Sequence, residues 1–284
     1  MEKSVNGAGL PGVAPAQAGP PSRCVCRVMK NTLRPTLACV GEVQLWGVLV
    51  RAVPLRAPSR AGVELLATHE RARADRFVSP ADGADFLAGR IALRMFAAEL
   101  AGVHPADLEA DYRCGTCGAG NADHGRPGYR RRDGEPGPLL SLSRAGGWAL
   151  LAGAASGTGL SGLGVDAEES RGTGFPGFDA LALSSRERLH TAPRTTAEGL
   201  YQRARIWARK EAFLKAKGSG LQRDPASVDV TGDRLEGVRL GDLDAARLGL
   251  PTGMVAALAA SGMETLPGSG ASPAVPHAGG RAES

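Results

Sequence analysis

Two short segments of this 284-residue chain carry the residue types and spacings best suited to chemistry: Gly164–Glu168 (GVDAE) and Trp207–Leu221 (WARKEAFLKAKGSGL). Asp166 and Glu168 close an apolar run, and on a strand their i, i+2 spacing turns both side chains to one face. Two carboxylates at the end of a buried strand form a hard oxygen site, which suits Mg²⁺ in company with phosphate oxygens and water. D-x-E is also a common pair, and alone it more readily describes two solvated carboxylates at a strand end. Glu211 and Lys215 stand at i, i+4 and share one face of a helix. Such a pair is ordinarily a surface ion pair worth ~0.3–0.5 kcal/mol. Here it lies on a strongly apolar helical pattern, one turn after Trp207 and just before the glycine-rich KGSGL. A third carboxylate and a lysine would complete a site for a metal-bound diphosphate.

Positioning these residues falls to elements visible as periodicities. GEVQLWGVLVRAV (41–53) alternates apolar and polar positions and reads as a first strand. Val63–His69 reads as a short helix. From Pro80, apolar residues at helical spacing, among them Phe86, Leu87, Ile91, Leu93 and Leu100, run to Gly102. Residues 111–137 form a Gly/Arg-rich loop, and Leu139–Leu142, Trp148–Gly153 and Gly162–Ala167 read as strands. Ser184 and Glu187 make a capping box for a short helix. Thr195–Lys217 is the strongest helix, with Leu200, Ile206, Trp207, Phe213 and Leu214 as its buried stripe and Gly218 just past its end. Val228–Val230 with Arg234–Leu240 suggests a hairpin, and Met254–Ala260 a last strand. Strand–helix–strand order recurs roughly once without a sequence repeat, compatible with an α+β chain of two similar halves.

The flanks differ in composition. Residues 1–38 are Gly/Pro/Ala-rich and aperiodic, and 263–284 are similar, so both are expected to be disordered. Met29 is an alternative start. The chain carries a net charge of +5, which suits an anionic ligand or an acidic partner. Arg23, Arg27, Lys30 and Arg34 precede the apolar stretch Thr36–Val50 in the manner of a signal sequence. That stretch lies far from residue 1, and Glu42 and Gln44 interrupt it. No run reaches the ~18 apolar residues of a membrane span, so a cytoplasmic protein is expected. The five cysteines, Cys24, Cys26, Cys39, Cys114 and Cys117, are an odd number, which argues against a secreted disulfide framework. Cys114 and Cys117 with His124 offer three soft ligands where a structural zinc site wants four. A surface loop with two free thiols is the first reading, zinc the second and redox chemistry the third.

GVDAE followed by W-x-x-K-E-A-x-x-K-x-x-G-x-G-L closely resembles the paired signature of the 4′-phosphopantetheinyl transferase superfamily. Trp207, Lys210, Glu211, Ala212, Lys215, Gly218, Gly220 and Leu221 fill the second motif, about 40 residues after the first. GRP (125–127), SLSRAGGWALLAG (141–153) and RFVSPADGADFLAGRIALR (76–94) extend the likeness over roughly 41–262. The length is similar to that of the surfactin-synthetase-activating (Sfp-type) branch. The resemblance implies an α+β fold, a pseudo-twofold pair of similar subdomains, each a small antiparallel sheet packed on a long helix. Its halves would span 39–145 and 146–262. It further implies transfer of 4′-phosphopantetheine from coenzyme A to a serine of an apo acyl, peptidyl or aryl carrier protein, the holo-acyl-carrier-protein synthase type of reaction. Asp166, Glu168 and Glu211 would hold Mg²⁺, with Mn²⁺ as an alternative, and Glu211 would also act as general base. Lys215 would contact the diphosphate. Arg126, Ser143, Arg144 and, more weakly, Arg73 would bind the 3′-phosphate region of coenzyme A. The chain departs from the family pattern at Arg144, where the family has His, at Ser141, where it has Asn, and at Asp85 and Phe86, which are often basic or polar. A monomeric pseudodimer without membrane contact is implied. The competing reading is a non-catalytic anion- or nucleic-acid-binding protein using RPGYRRR (126–132) and the CxxC loop; no known nucleic-acid module fits it.

Overall fold

The computed structural model describes residues 41–114, 118–119, 125–220 and 223–262. The expected leader and tail, Cys24, Cys26, Cys39, Cys117, His124 and Leu221 lie outside the described residues. The chain begins with strands β1 (Gly41–Leu45) and β2 (Val48–Pro54), then helices α1 (Arg60–Glu64), α2 (Thr68–Ala74) and α3 (Pro80–Ala101). Short strands β3 (Leu108–Ala110), β4 (Arg113–Cys114), β5 (Gly118–Ala119) and β6 (Tyr129–Arg131) follow, then β7 (Leu139–Ala145), β8 (Trp148–Ala154) and β9 (Gly162–Glu169). Helices α4 (Phe178–Ala182), α5 (Ser185–Leu189) and α6 (Ala197–Lys217) lead to β10 (Arg234–Leu235), β11 (Val238–Leu243) and β12 (Met254–Ser261).

The fold is α+β. Two four-stranded antiparallel sheets, ordered β1-β2-β8-β7 and β10-β11-β12-β9, each carry one long helix. Alternation along the strands explains the layers. Val48, Val50 and Ala52 of β2 and Leu150, Ala152 and Ala154 of β8 meet Leu163, Val165 and Ala167 of β9 and Ala256, Leu258 and Ala260 of β12 in one core between the sheets. The opposite face of the first sheet, through Val53, Ala149 and Leu151, packs on Leu93, Phe96 and Ala97 of α3. The opposite face of the second, through Val255, Ala257 and Ala259, packs on Ala204, Ala208 and Ala212 of α6. No helix among the described residues is long and apolar enough to cross a membrane.

Three local expectations need correction. Residues 41–53 form a hairpin rather than one strand, because Trp46 (φ 55°) and Gly47 (φ 75°) both adopt left-handed backbone in a two-residue turn. The apolar positions switch parity there, from 43 and 45 to 48, 50 and 52. Val63–His69 straddles the end of α1 and the start of α2; the Glu70 carboxylate accepts from Ala67 N–H at 2.9 Å and starts the new helix. Val228 and Val230 are buried, but their segment is not a strand. Its backbone is served by side chains: Val230 N–H donates to Glu187 and Val230 C=O accepts from Arg209, each at 2.9 Å.

Candidate active site

The second sheet and α6 meet through bare backbone. Gly162 and Gly164 of β9 face the helix, and a Cβ on Gly164 would lie 1.9 Å from the Ala212 carbonyl oxygen. One on Gly162 would lie 2.4 Å from that of Ala216. Glycine on the strand and alanine on the helix therefore permit an approach that any larger side chain would block. The next two positions on the same strand face are Asp166 and Glu168. Across the contact, Lys215 Nζ donates to Asp166 Oδ1 at 2.6 Å and to the Val165 carbonyl at 3.1 Å.

Strand β7 runs beside β9 and is tied to it by serines. Ser143 Oγ donates to Asp166 Oδ1 at 2.7 Å, and Ser141 Oγ accepts from Val165 N–H at 3.0 Å. A cleft of about 860 Å³ opens here. Asp166, Glu168, Glu211 and Lys215 line it, as do Ser143, Arg144, Arg126, Arg90, Asp82 and Asp85, and Gly218–Gly220. The structure thus brings together every sequence-designated site residue except Arg73, which is not among the lining residues and instead places its guanidinium over the Phe86 ring at 5.7 Å. Arg126 lines the cleft, but its Nη2 donates to the carbonyls of Lys215 and Ala216 at 2.7 and 2.8 Å, where it closes the C-terminal end of α6.

The electrostatics of the carboxylates are those of a crowded, buried anionic site. Glu168 is pushed from 4.5 up to about 8, first by burial and then by the neighbouring Asp166 charge. Glu211 is raised by the same two causes, burial first. Asp166 is 3% exposed, and its Oδ2 has no hydrogen-bond partner. Among the described residues, no group of three His, Cys, Asp or Glu side chains is placed to hold a metal ion. The Lys215 ammonium occupies Asp166 Oδ1 instead. The donor set still fits a hard divalent cation. An orphaned buried carboxylate oxygen and two carboxyls with raised proton affinity are groups that a cation would relieve.

Two roles were not legible in sequence. Lys210, a motif position, is fully buried and pairs with Glu187 at 2.6 Å while donating to the Pro225 carbonyl at 2.9 Å. Glu187 is also the capping-box residue of α5, so Lys210 straps α5 and the 225–230 segment to α6. Trp207 packs edge-on against Phe178 of α4 at 6.1 Å and anchors the same side. Phe86, which appeared in sequence as an apolar position of the long helix and as a departure from the family pattern, is 3% exposed and carries the guanidinium groups of Arg73, Arg90 and Arg144 around its ring.

A glycine-backed strand ending in two carboxylates, crossed by a helix that adds a third carboxylate and a lysine, is the geometry of the motif pair. The family model for the 4′-phosphopantetheinyl transferase superfamily matches residues 162–250, which contain all four of those residues. The chain is 31% identical over 192 residues to the 4′-phosphopantetheinyl transferase HetI of Nostoc sp., covering 64% of this chain and 71% of the relative. It is 31% identical over 219 residues to a phosphopantetheinyl transferase of Thraustochytrium sp., covering 72% and 71% of the two chains. The chain belongs to the 4′-phosphopantetheinyl transferase superfamily.

Proposed function

We propose that this protein is an Sfp-type enzyme that moves the 4′-phosphopantetheine group of coenzyme A onto a serine hydroxyl of an apo acyl, peptidyl or aryl carrier protein. The observation that carries this reading is the convergence of Asp166, Glu168, Glu211 and Lys215 on one wall of the cleft. Asp166, Glu168 and Glu211 would hold Mg²⁺, or Mn²⁺ in its place; the bound ion supplies charge neutralisation at the coenzyme A diphosphate. Lys215 contacts the same diphosphate, with Ser143 holding Asp166 in place. Glu211, whose proton affinity burial and the Asp166 charge raise, accepts the serine proton. The serine oxygen forms its bond to the pantetheine-linked phosphorus, the bond to the leaving phosphate oxygen breaks, and 3′,5′-ADP departs. Arg144, with Arg126 and Arg73 as further candidates, serves the 3′-phosphate end. The two sheet-and-helix halves act as one monomeric pseudodimer in the cytoplasm, and the basic chain meets an acidic carrier surface with salt-sensitive association.

The nucleic-acid alternative loses its main support. Within RPGYRRR, Arg130 pairs with Glu109 at 3.0 Å, Arg132 with Glu109 at 3.6 Å, and Arg131 with Asp133. Arg126 is engaged with the end of α6. Incubation with coenzyme A, Mg²⁺ and a panel of apo carrier proteins, read by intact-mass spectrometry, tests the proposal. The expected result is a carrier that gains one phosphopantetheine. No adduct on any carrier would overturn it.

A further inference from the structure

The two sheets present their edges to each other where the cleft opens. Strand β7 ends one sheet and β9 ends the other, and among the described residues no backbone hydrogen bond crosses between them. Val165 of β9 turns both of its backbone polar groups to this seam. It stands opposite Leu258 of β12 in an antiparallel ladder, and in such a ladder the N–H and C=O of one residue point to the same side. Side chains meet both groups: Ser141 Oγ accepts from the N–H at 3.0 Å, and Lys215 Nζ donates to the C=O at 3.1 Å. Val165 is fully buried, so without Ser141 its N–H would be left unpaired away from water.

Residues 139, 141, 143 and 145 share one face of β7. The end members, Leu139 and Ala145, pack against the core between the sheets, while the two positions between them are buried serines, 4% and 7% exposed. A hydroxyl in an apolar row costs free energy unless it makes a hydrogen bond. Each of these does, and to successive residues: Ser141 to the backbone of Val165, and Ser143 to the carboxylate of Asp166 at 2.7 Å. Ser143 fixes one oxygen of the Asp166 side chain but leaves the chain beneath it free to shift. Ser141 fixes that chain one residue earlier. Together they hold Asp166 at two points, with its second oxygen, Oδ2, unpartnered.

We propose that Ser141 is a positioning residue: its hydroxyl anchors the Val165 peptide across the seam and so sets the placement of the Asp166 carboxylate for a divalent cation. This rests on the transferase reading above, which leaves Ser141 as a departure from the family's Asn. An Asn amide oxygen accepts an N–H just as a Ser hydroxyl does, so the exchange keeps the acceptor and changes only its reach.

Two variants remove the acceptor. Ser141→Ala deletes it, and Ser141→Cys keeps nearly the same volume with a sulfur that accepts weakly. Backbone amide hydrogen exchange is followed at Val165. Mn²⁺ alone is titrated into each protein and read from the loss of the free-ion paramagnetic resonance signal, and transfer is assayed against Mg²⁺ concentration. In both variants the Val165 N–H should exchange at least ~10-fold faster than in wild type. The Mn²⁺ Kd and the Mg²⁺ concentration for half-maximal transfer should rise ~3–10-fold, the size of one net hydrogen bond, while KM for coenzyme A at saturating Mg²⁺ stays within ~2-fold. A lowered Tm with an unchanged metal requirement would make Ser141 a packing residue and overturn the proposal. Val165 exchange at the wild-type rate would do the same, as would a wild type that binds no Mn²⁺. If Ser141→Ala fails to fold, Ser141→Cys decides alone by the same criteria. Metal affinity that depends on Ser141 in a protein that modifies no carrier would overturn the transferase reading and not this one.

Discussion

At one end of the cleft, Asp166, Glu168, Glu211 and Lys215 come from β9 and α6, two elements packed backbone against backbone through Gly162, Gly164, Ala212 and Ala216. At the other, Arg90, Arg144 and Phe86 come from α3 and β7 and meet through side chains alone. The carboxylate end is positioned by the chain itself, so its spacing is rigid and its residues interlock. The arginine end is positioned by stacking, which tolerates exchange of one cation for another. Substitutions at the first end should therefore be severe, and those at the second graded and ligand-selective.

Asp166→Ala and Glu211→Gln should each abolish transfer, by at least ~100-fold in kcat, the lower end of what a positioned base contributes. Circular dichroism should show the fold retained, and wild-type rates in either variant would refute the site assignment. Lys210→Met leaves Glu187 buried and unpaired and should cost ~3–5 kcal/mol in denaturant unfolding. A cost below ~1 kcal/mol would show that α5 is not strapped to α6 through this pair. Gly164→Ala forces a methyl against the Ala212 carbonyl and should cost ~1–3 kcal/mol, with a fall in kcat as α6 shifts. Arg144→His should have the smallest effect, a rise in KM for coenzyme A with kcat unchanged.

The pH dependence sharpens the same contrast. Glu168 is raised from 4.5 to about 8 in the folded protein, and Glu211 is raised as well. Between those values the folded state binds more protons than the unfolded chain, so stability without metal should fall as pH rises through that window. Mg²⁺ needs the deprotonated carboxylates and should restore stability most at the upper end of the window. Glu168→Gln should flatten the slope. A metal-free unfolding midpoint that does not change between pH 5 and 8 would contradict the crowding argument.

The carboxylate end was legible in sequence because everything that builds it is local: two residues on one strand face and two on one helix face. Even there, the sequence did not reveal why Gly162 and Gly164 precede Asp166, since their value lies in a contact with α6 some 50 residues later. The long helices and the strands of the two sheets follow from periodicity. The hairpin at Trp46–Gly47 was hidden by continuous alternation, although the parity switch at residues 45–48 marks it. The buried stripe of α6 was only partly readable. Phe213 and Leu214 are buried, but the contact with the sheet is made by Ala204, Ala208 and Ala212, whose small size is the point. The arginine end was least legible. Phe86 gains its role from cations contributed by α2, α3 and β7. Lys210 stood in the sequence only as a motif position, because its partner Glu187 belongs to another helix.

The central claim is that the cleft binds one donor at two chemically different ends, one through a divalent cation and one without it. Calorimetric titration of coenzyme A in the presence and absence of Mg²⁺, into wild type, Asp166→Ala and Arg144→Ala, tests this most directly. The account predicts that Mg²⁺ tightens binding by at least ~10-fold in wild type and in Arg144→Ala, and has no effect in Asp166→Ala. Affinity independent of Mg²⁺ in wild type, or Mg²⁺ dependence that survives Asp166→Ala, would contradict it.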